Sequence, residues 1–130
     1  MTVAVCSETP TEFRRYTIAA GAVIPIGTLL QLSGDNTASA TSGDTDEFAG
    51  IAWEESTATD TQTEIVAAIN GIWDIKCTAA AVSYGDIVNV GGADTIVLAD
   101  AAAIIAGSTV GKALEAGNDT VIRVAVGRMI

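Results

Sequence analysis

Glu54 and Glu115 are the residues whose type and placement best suit acid–base chemistry. Each follows a Gly-x-Ala motif, in "GIAWEE" (50–55) and "GKALEA" (111–116), so the two carboxylates occupy matching places in similar segments. Two facing carboxylates can act as general acid and general base. However, strand-end glutamates beside acidic loops are usually solvated. The chain also has no histidine, which removes the commonest general base and the usual catalytic triads. With no G-x-S-x-G segment either, the sequence predicts that the protein is not an enzyme.

Candidate ligand-binding residues are few. The acidic run "SGDTDE" (42–47) has alternating oxygen ligands suited to calcium, but it lacks the twelve-residue loop with its terminal glutamate. Cys6 and Cys77 do not have metal-site spacing, and we expect a free thiol at Cys6 and a small buried side chain at Cys77. Trp53 and Trp73 are candidates for a sugar-binding platform, although large core or interface side chains are the simpler interpretation. We therefore expect no metal and no cofactor.

The distribution of charge and apolar residues argues against nucleic acid and membrane partners. The formal net charge is −10, and no cation lies between Arg15 and Lys76. A nucleic-acid-binding surface needs cations that displace phosphate counterions. The longest apolar stretch, 17–32, is broken by glycine and proline before it reaches the roughly 20 residues of a spanning helix. The N-terminus lacks the basic start of a secretory signal, which favours synthesis and use in a cytoplasm, or inside an assembly built there.

The hydrophobic pattern predicts an all-β fold, either a compact small barrel or a sandwich. Short β-branched runs recur along the 130 residues, and turn residues bound nearly every one. Small Ala, Val and Ile side chains suit a thin core. At most one or two short helical turns are expected, the best at 100–106, where Asp100 is a good N-cap and Gly107 can end the helix.

The two halves of the chain resemble each other. Each half contains a glycine-led strand, a turn, a partner strand, a Gly-x-Ala-x-Glu strand, an acidic loop and a closing strand. We predict one domain over 17–130, with related halves at about 17–73 and 77–130, because a half of about 55 residues buries too little surface to fold alone. The aligned segments are "GTLLQLSGDNTASA" (27–40) with "GDIVNVGGADTIVL" (85–98), "GIAWEE" with "GKALEA", and "EIVAAINGI" (64–72) with "TVIRVAVGR" (120–128).

Five residues are expected to shape this repeat. Pro25 fixes its own φ and favours an extended chain before it. Gly27 and Gly85 can take positive φ at the turns that precede strands. Gly50 and Gly111 mark places where another backbone comes close.

One series of segments along the chain reads "AAGAVIPIGTLLQL", "GIAWEES", "VAAINGIWDI", "VSYGDIVNV" and "VGKALEAGNDTVIRVAV". This series resembles the head decoration, or capsid cement, proteins of tailed bacteriophages. The resemblance covers about residues 17–128. It implies a β-tulip-like fold and a structural virion protein, made in the host cytoplasm, that binds the outer surface of the expanded head. It also implies homotrimers at threefold and quasi-threefold positions, where they bridge the major capsid protein and offset the pressure of packaged DNA.

The segment 1–16 lies outside the repeat, and we expect an arm that orders on the capsid. An extended arm can add a strand to a neighbouring sheet. Phe13, Arg14, Arg15 and Tyr16 are its candidate anchors, because aromatic residues and arginine are enriched in interface hot spots. The alternative is that Phe13 and Tyr16 only plug the end of a barrel.

Two other functions stay open from the sequence alone. One is a carbohydrate-binding β-domain whose platform is Trp53 and Trp73. The other is an accessory or regulatory β-domain that works beside a separate catalytic chain.

Overall fold

Every element with defined bounds in the described part of the chain is a β-strand, so the predicted all-β class is confirmed. The computed structural model describes residues 4–41, 46–59, 61–78, 81–99, 104 and 107–127. Most of the helical turn predicted over 100–106 and of the acidic run 42–47 lies outside these ranges. The strands are β1 (Val5–Glu8), β2 (Phe13–Thr17), β3 (Leu29–Gly34), β4 (Thr37–Ala40), β5 (Phe48–Ala52), β6 (Glu64–Ala68), β7 (Gly71–Cys77), β8 (Ile87–Val90), β9 (Thr95–Leu98), β10 (Thr109–Ala113) and β11 (Val121–Val126).

Strands β2 to β11 close into two five-stranded barrels with the same topology. Barrel 1 has the order β2-β4-β3-β5-β6, and barrel 2 has the order β7-β9-β8-β10-β11. In each barrel the first strand pairs antiparallel with the last strand and parallel with the third. The fold is therefore built from two related halves, as the sequence repeat predicts.

Matching positions fill the interiors of the two barrels. A five-stranded barrel encloses little space, so most of these side chains are small or β-branched. Barrel 1 holds the large Tyr16 where barrel 2 holds Ile75, and it has alanine at three positions where barrel 2 has larger side chains. The barrel 1 set is Tyr16, Ile18, Ile24, Leu30, Ala38, Ala49, Ala52, Ile65 and Ala67, and the barrel 2 set is Ile75, Cys77, Val82, Val88, Ile96, Val110, Ala113, Ile122 and Val124.

The outer face of barrel 1 packs against barrel 2. Leu29, Ile51 and Ala68 belong to the buried cluster that fills barrel 2, and the Leu29 N–H donates to Ala93 O at 2.8 Å. This contact is asymmetric, because the equivalent side chains of barrel 2 are only half-buried. Those equivalents are Ile87, Lys112 and Ala125. The two barrels thus share one apolar cluster.

The strand bounds correct the expected domain organisation. Part of the segment expected to be an arm, 1–16, is the first strand of barrel 1, because β2 begins at Phe13 and pairs with β6. Another part is β1, which adds to the edge of β7. The boundary between the two halves also lies earlier than the predicted gap between residues 73 and 77, because β7, the first strand of barrel 2, begins at Gly71.

The alignment of the closing strands is wrong by one residue, although the alignment of β3–β4 with β8–β9 is confirmed by matching registers. The structure makes Ile65 equivalent to Ile122, and both are buried. The sequence alignment paired Ile65 with Val121, which is 54% exposed. A shift of one residue turns every side chain of a strand to the opposite face, so apolar pattern alone does not fix the register.

Gly27 and Gly85 occupy the same place in matching turns, with φ of 91° and 88°. In the first turn the Thr28 N–H donates to Pro25 O at 3.2 Å, which places Gly27 at the third position. A glycine takes positive φ there without steric cost.

Alanine at Gly111 is expected to destabilise the protein far more than alanine at Gly85. A methyl group at Gly111 would overlap the Ala125 carbonyl oxygen of β11, whereas one at Gly85 meets no atom within 4 Å and suffers only the positive φ. We expect the free energy of unfolding to fall by about 3 kcal/mol for Gly111→Ala and by about 1–2 kcal/mol for Gly85→Ala. Urea unfolding measures both, and equal losses would contradict the close approach of β10 and β11.

Candidate functional site

A groove of about 380 Å³ on barrel 1 brings three of the predicted anchor residues together. Phe13, Arg14 and Arg15 of β2 line it with Trp53, which follows β5, and Val66 of β6. The ring centroids of Phe13 and Trp53 are 5.3 Å apart, with the planes inclined by 58°. Both rings keep access to solvent, at 43% and 37% exposure. The groove thus joins exposed aromatic surface to two cations on a strongly acidic chain.

Strand pairing fixes the walls of this groove. In β2, Phe13 lies opposite Ala68 and Arg15 opposite Val66, so both β2 side chains point out of the barrel on the same face. The backbone N–H of Trp53 donates to Val66 O at 2.9 Å. This backbone bond holds residue 53, and with it the indole ring, beside that face. Hydrogen bonds between paired strands therefore hold the backbone of the groove residues in place.

Trp73 supports the groove from beneath and is not part of a surface platform. It is 1% exposed, and its indole N–H donates to Asn70 O at 3.0 Å. Its ring meets Trp53 edge-on, with centroids 6.1 Å apart and planes at 84°. The expectation of a platform formed by Trp53 and Trp73 is therefore wrong for Trp73, which is a core side chain.

Tyr16 lies inside barrel 1. It is 8% exposed, and its hydroxyl donates to Ala49 O at 2.7 Å. Burial raises the pKa of Tyr16, and the positive charge of Arg14 opposes that rise. Burial of its side chain therefore favours the alternative, that Tyr16 plugs the barrel, over a role as a capsid anchor. It fills the barrel, whereas Phe13 stays on the surface.

The two arginines of the groove are weakly held by the rest of the molecule. Arg15 lies 3.9 Å from Glu64, and both side chains are more than half exposed, so the pair contributes about 0–1 kcal/mol. Arg14 forms no salt bridge with any described residue. On barrel 2, Asp74 is at the position equivalent to Arg15, and Arg123 is at the position equivalent to Val66. Arg123 Nε lies 3.6 Å from Asp74 Oδ1, so these two residues form a salt bridge. The combination of aromatic and cationic side chains is thus particular to barrel 1.

Glu54 and Glu115 stabilise strand ends and do not face each other as an acid–base pair. Glu54 Oε1 accepts a hydrogen bond from the Val66 N–H at 2.9 Å, and Glu115 Oε1 accepts one from the Arg123 N–H at 2.8 Å. Just beyond the ends of β5 and β10, each carboxylate accepts the hydrogen bond that a backbone carbonyl would accept if the strand continued. The repeated Gly-x-Ala-x-Glu motif is the sequence signal for this role.

The cysteines and the other acidic residues form no metal site in the described ranges. No group of three or more His, Cys, Asp or Glu there is placed to hold a metal ion. Cys6 is half-buried, and burial together with the nearby negative charge of Asp74 raises its pKa. Cys77 is buried, and its thiol donates to Thr120 O at 3.3 Å.

Comparisons with known proteins give the chain no family. It matches no protein-family model and no curated protein sequence. No described helix has the length and apolar character needed to cross a membrane. The groove and the fold are therefore the basis for any functional assignment.

Replacing Tyr16 with Phe is expected to flatten the loss of stability at alkaline pH. The raised pKa means that unfolded Tyr16 ionises first, at about pH 10, so wild-type stability is complete below that pH and falls as pH rises towards the folded pKa. The variant starts about 1 kcal/mol lower, because it lacks the hydrogen bond to Ala49.

Urea unfolding between about pH 8 and pH 11 tests this dependence. Tyr84→Phe, at an exposed tyrosine, keeps the buried hydroxyl and serves as the matched control. Identical alkaline slopes for wild type and Tyr16→Phe would contradict the burial of the Tyr16 hydroxyl.

Proposed function

We propose that this chain is a structural decoration protein that binds the outer surface of an expanded bacteriophage head. The observation that carries the proposal is the groove of Phe13, Arg14, Arg15, Trp53 and Val66. Three of these residues were expected at a capsid contact from the sequence, and a fourth, Trp53, joins them through the fold. The resemblance of residues 17–128 to capsid cement proteins supplies the identity of the partner, the major capsid protein.

The composition of the groove suits a protein surface. Tryptophan and arginine are enriched among the residues that dominate protein–protein binding energy, and Phe13 adds aromatic area beside them. Trp53 is held between Phe13 and the buried Trp73, so little side-chain entropy is lost when a partner covers it. The groove is therefore pre-organised for docking.

The proposed role is mechanical. A protein that binds the expanded shell and not its precursor stabilises the expanded state by mass action. Two closed barrels that share a buried cluster make a stiff body for bridging neighbouring capsid subunits. We propose homotrimers at threefold positions, where several weak grooves acting together gain avidity. No catalysis or cofactor is required for this role.

A carbohydrate-binding domain is the second candidate, and the exposure of Trp53 is the observation that favours it. With Trp73 buried, its platform would consist of Trp53 and Phe13, whose planes are inclined by 58°. Glycan-array binding that disappears in Trp53→Ala would support this candidate.

Trp53→Ala is expected to weaken binding to expanded, undecorated shells by about tenfold or more, because it removes the centre of the groove. Leu114→Ala is the matched control, since Leu114 is the exposed residue at the equivalent position of barrel 2. It should change the affinity by less than about twofold. Co-sedimentation with shells assembled from the major capsid protein of the same genome measures both. Wild-type protein that stays in the supernatant, or equal losses for both variants, would contradict the proposal.

Arg14→Glu tests the charge of the groove separately. It should weaken shell binding by about tenfold at low salt, and by less as the ionic strength rises. Lys112→Glu makes the same charge change on barrel 2, outside the groove, and should leave the affinity near that of wild type. Equal effects of the two substitutions would mean that net charge, and not the groove, controls binding.

A further inference from the structure

Among the residues that the structure describes, the edge of β2 that faces away from β6 has a strand partner only at its C-terminal end. Phe13 to Thr17 pair with β6 on one side, but on the other side β2 pairs with β4 only through Thr17 and Thr37. The side chains at the open part of the edge, Phe13, Arg14 and Arg15, are all exposed. An open strand edge is a template for pairing with another extended chain.

Specific backbone groups point to this open edge. The Ile69 N–H donates to Glu12 O, and the Ile18 N–H donates to Thr63 O, so the even-numbered residues of this strand direct their backbone groups to the β6 side. Phe13 and Arg15 therefore direct their N–H and C=O groups away from β6. No described residue forms a backbone hydrogen bond with them there.

In the second half of the molecule, the equivalent strand edge is paired with an additional strand. Through the shared topology, Phe13, Arg14 and Arg15 of β2 correspond to Ile72, Trp73 and Asp74 of β7. Those three residues are paired antiparallel with β1, the strand outside both barrels. The same edge is thus covered by a sixth strand in barrel 2, whereas no described strand covers it in barrel 1.

We propose that the open edge of β2 accepts an extended segment of the capsid protein as an antiparallel sixth strand, with an acidic side chain of that segment against Arg14 and Arg15. This inference rests on the proposed function and names the element through which the partner binds. Backbone hydrogen bonds at Phe13 and Arg15 supply affinity, and the adjacent groove with Trp53 takes an apolar side chain of the segment.

The chain path favours a partner's segment over a second copy of this chain. The two arginines attract a carboxylate of the incoming segment, and this protein's own outer strand, β1, is unavailable because it is already paired with β7. The linker behind that strand is also fixed, because the Thr11 and Glu12 N–H groups both donate to Asn70 Oδ1. Exchange between copies would have to break both sets of bonds.

Arg15→Pro and Arg15→Ala separate the backbone from the side chain. Both remove the guanidinium, but only proline removes the N–H that points to the open edge, and proline is tolerated on a strand edge that faces solvent. We expect Arg15→Pro to bind expanded shells at least about fivefold more weakly than Arg15→Ala, because it loses a backbone hydrogen bond and its ring obstructs the incoming strand. Thermal unfolding of both variants checks that barrel 1 is intact.

Hydrogen exchange on unmodified protein gives a readout that does not depend on the proline variant folding. The Phe13 and Arg15 amides should exchange rapidly in the free protein and become protected on expanded shells. The Arg14 and Tyr16 amides, which face β6, should be protected in both states. Protection of Phe13 and Arg15 in concentrated protein without shells would identify a second copy as the occupant and overturn the proposal.

The outcomes distinguish this inference from the function on which it rests. If wild-type protein binds shells, but the two Arg15 variants bind equally and Phe13 and Arg15 stay unprotected, the strand-addition proposal fails and the decoration function stands. If wild-type protein does not bind shells, both fail.

Discussion

The small interior of a five-stranded barrel is the constraint on which the rest of the structure depends. Each barrel closes because its inward side chains fill that space and no more. The large ring of Tyr16 is accommodated in barrel 1 by alanine at positions 38, 49 and 67, where barrel 2 has Ile96, Val110 and Val124. Closure of a barrel pairs most strand edges. Few described backbone groups are therefore free to pair with another chain, except where two neighbouring strands pair over a short length, as β2 and β4 do.

The two halves have the same interior plan but different surfaces, and this divergence creates the candidate site. Barrel 1 presents Trp53 and Arg15 where barrel 2 presents Leu114 and Asp74. The outer faces of β3 and β5 and of β6 at Ala68 join the barrels, which leaves the outer face of β2 and the adjoining part of β6 at Val66 on the surface. The strand β1 completes the sheet of barrel 2 only. In the described part of the chain, one half therefore has a covered sheet edge, and the other has an unpaired edge beside an aromatic groove.

The sequence predicts the strands, the repeat and the matching turns, because glycines such as Gly27 and Gly85 punctuate short apolar runs in the same order twice. The sequence does not predict burial correctly where burial depends on whether a strand side chain points into or out of a barrel. Tyr16 and Phe13 are three residues apart, and only strand pairing shows that one points into the barrel and the other out of it. Trp73 belongs to the core for the same reason. The register of the closing strands was missed because Val121 and Ile122 are both apolar.

The arm predicted over 1–16 shows a second limit of sequence reasoning. Polar and charged residues such as Arg15 suggest a solvated tail, but alternate residues of a barrel strand also face solvent. The groove was predictable in part, through Phe13 and the two arginines. The contribution of Trp53 was not, because its approach to Phe13 depends on the closure of β5 and β6 against β2.

A cryo-electron microscopy reconstruction of expanded shells carrying the bound protein tests the central claim most directly, because it shows which face of the molecule meets the capsid. The account predicts two-barrel density on the outer surface at threefold positions, with the groove of Phe13 and Trp53 against the capsid protein and a capsid strand continuing the sheet at β2. Shells without added density, or bound protein whose barrel 1 groove faces solvent, would contradict it.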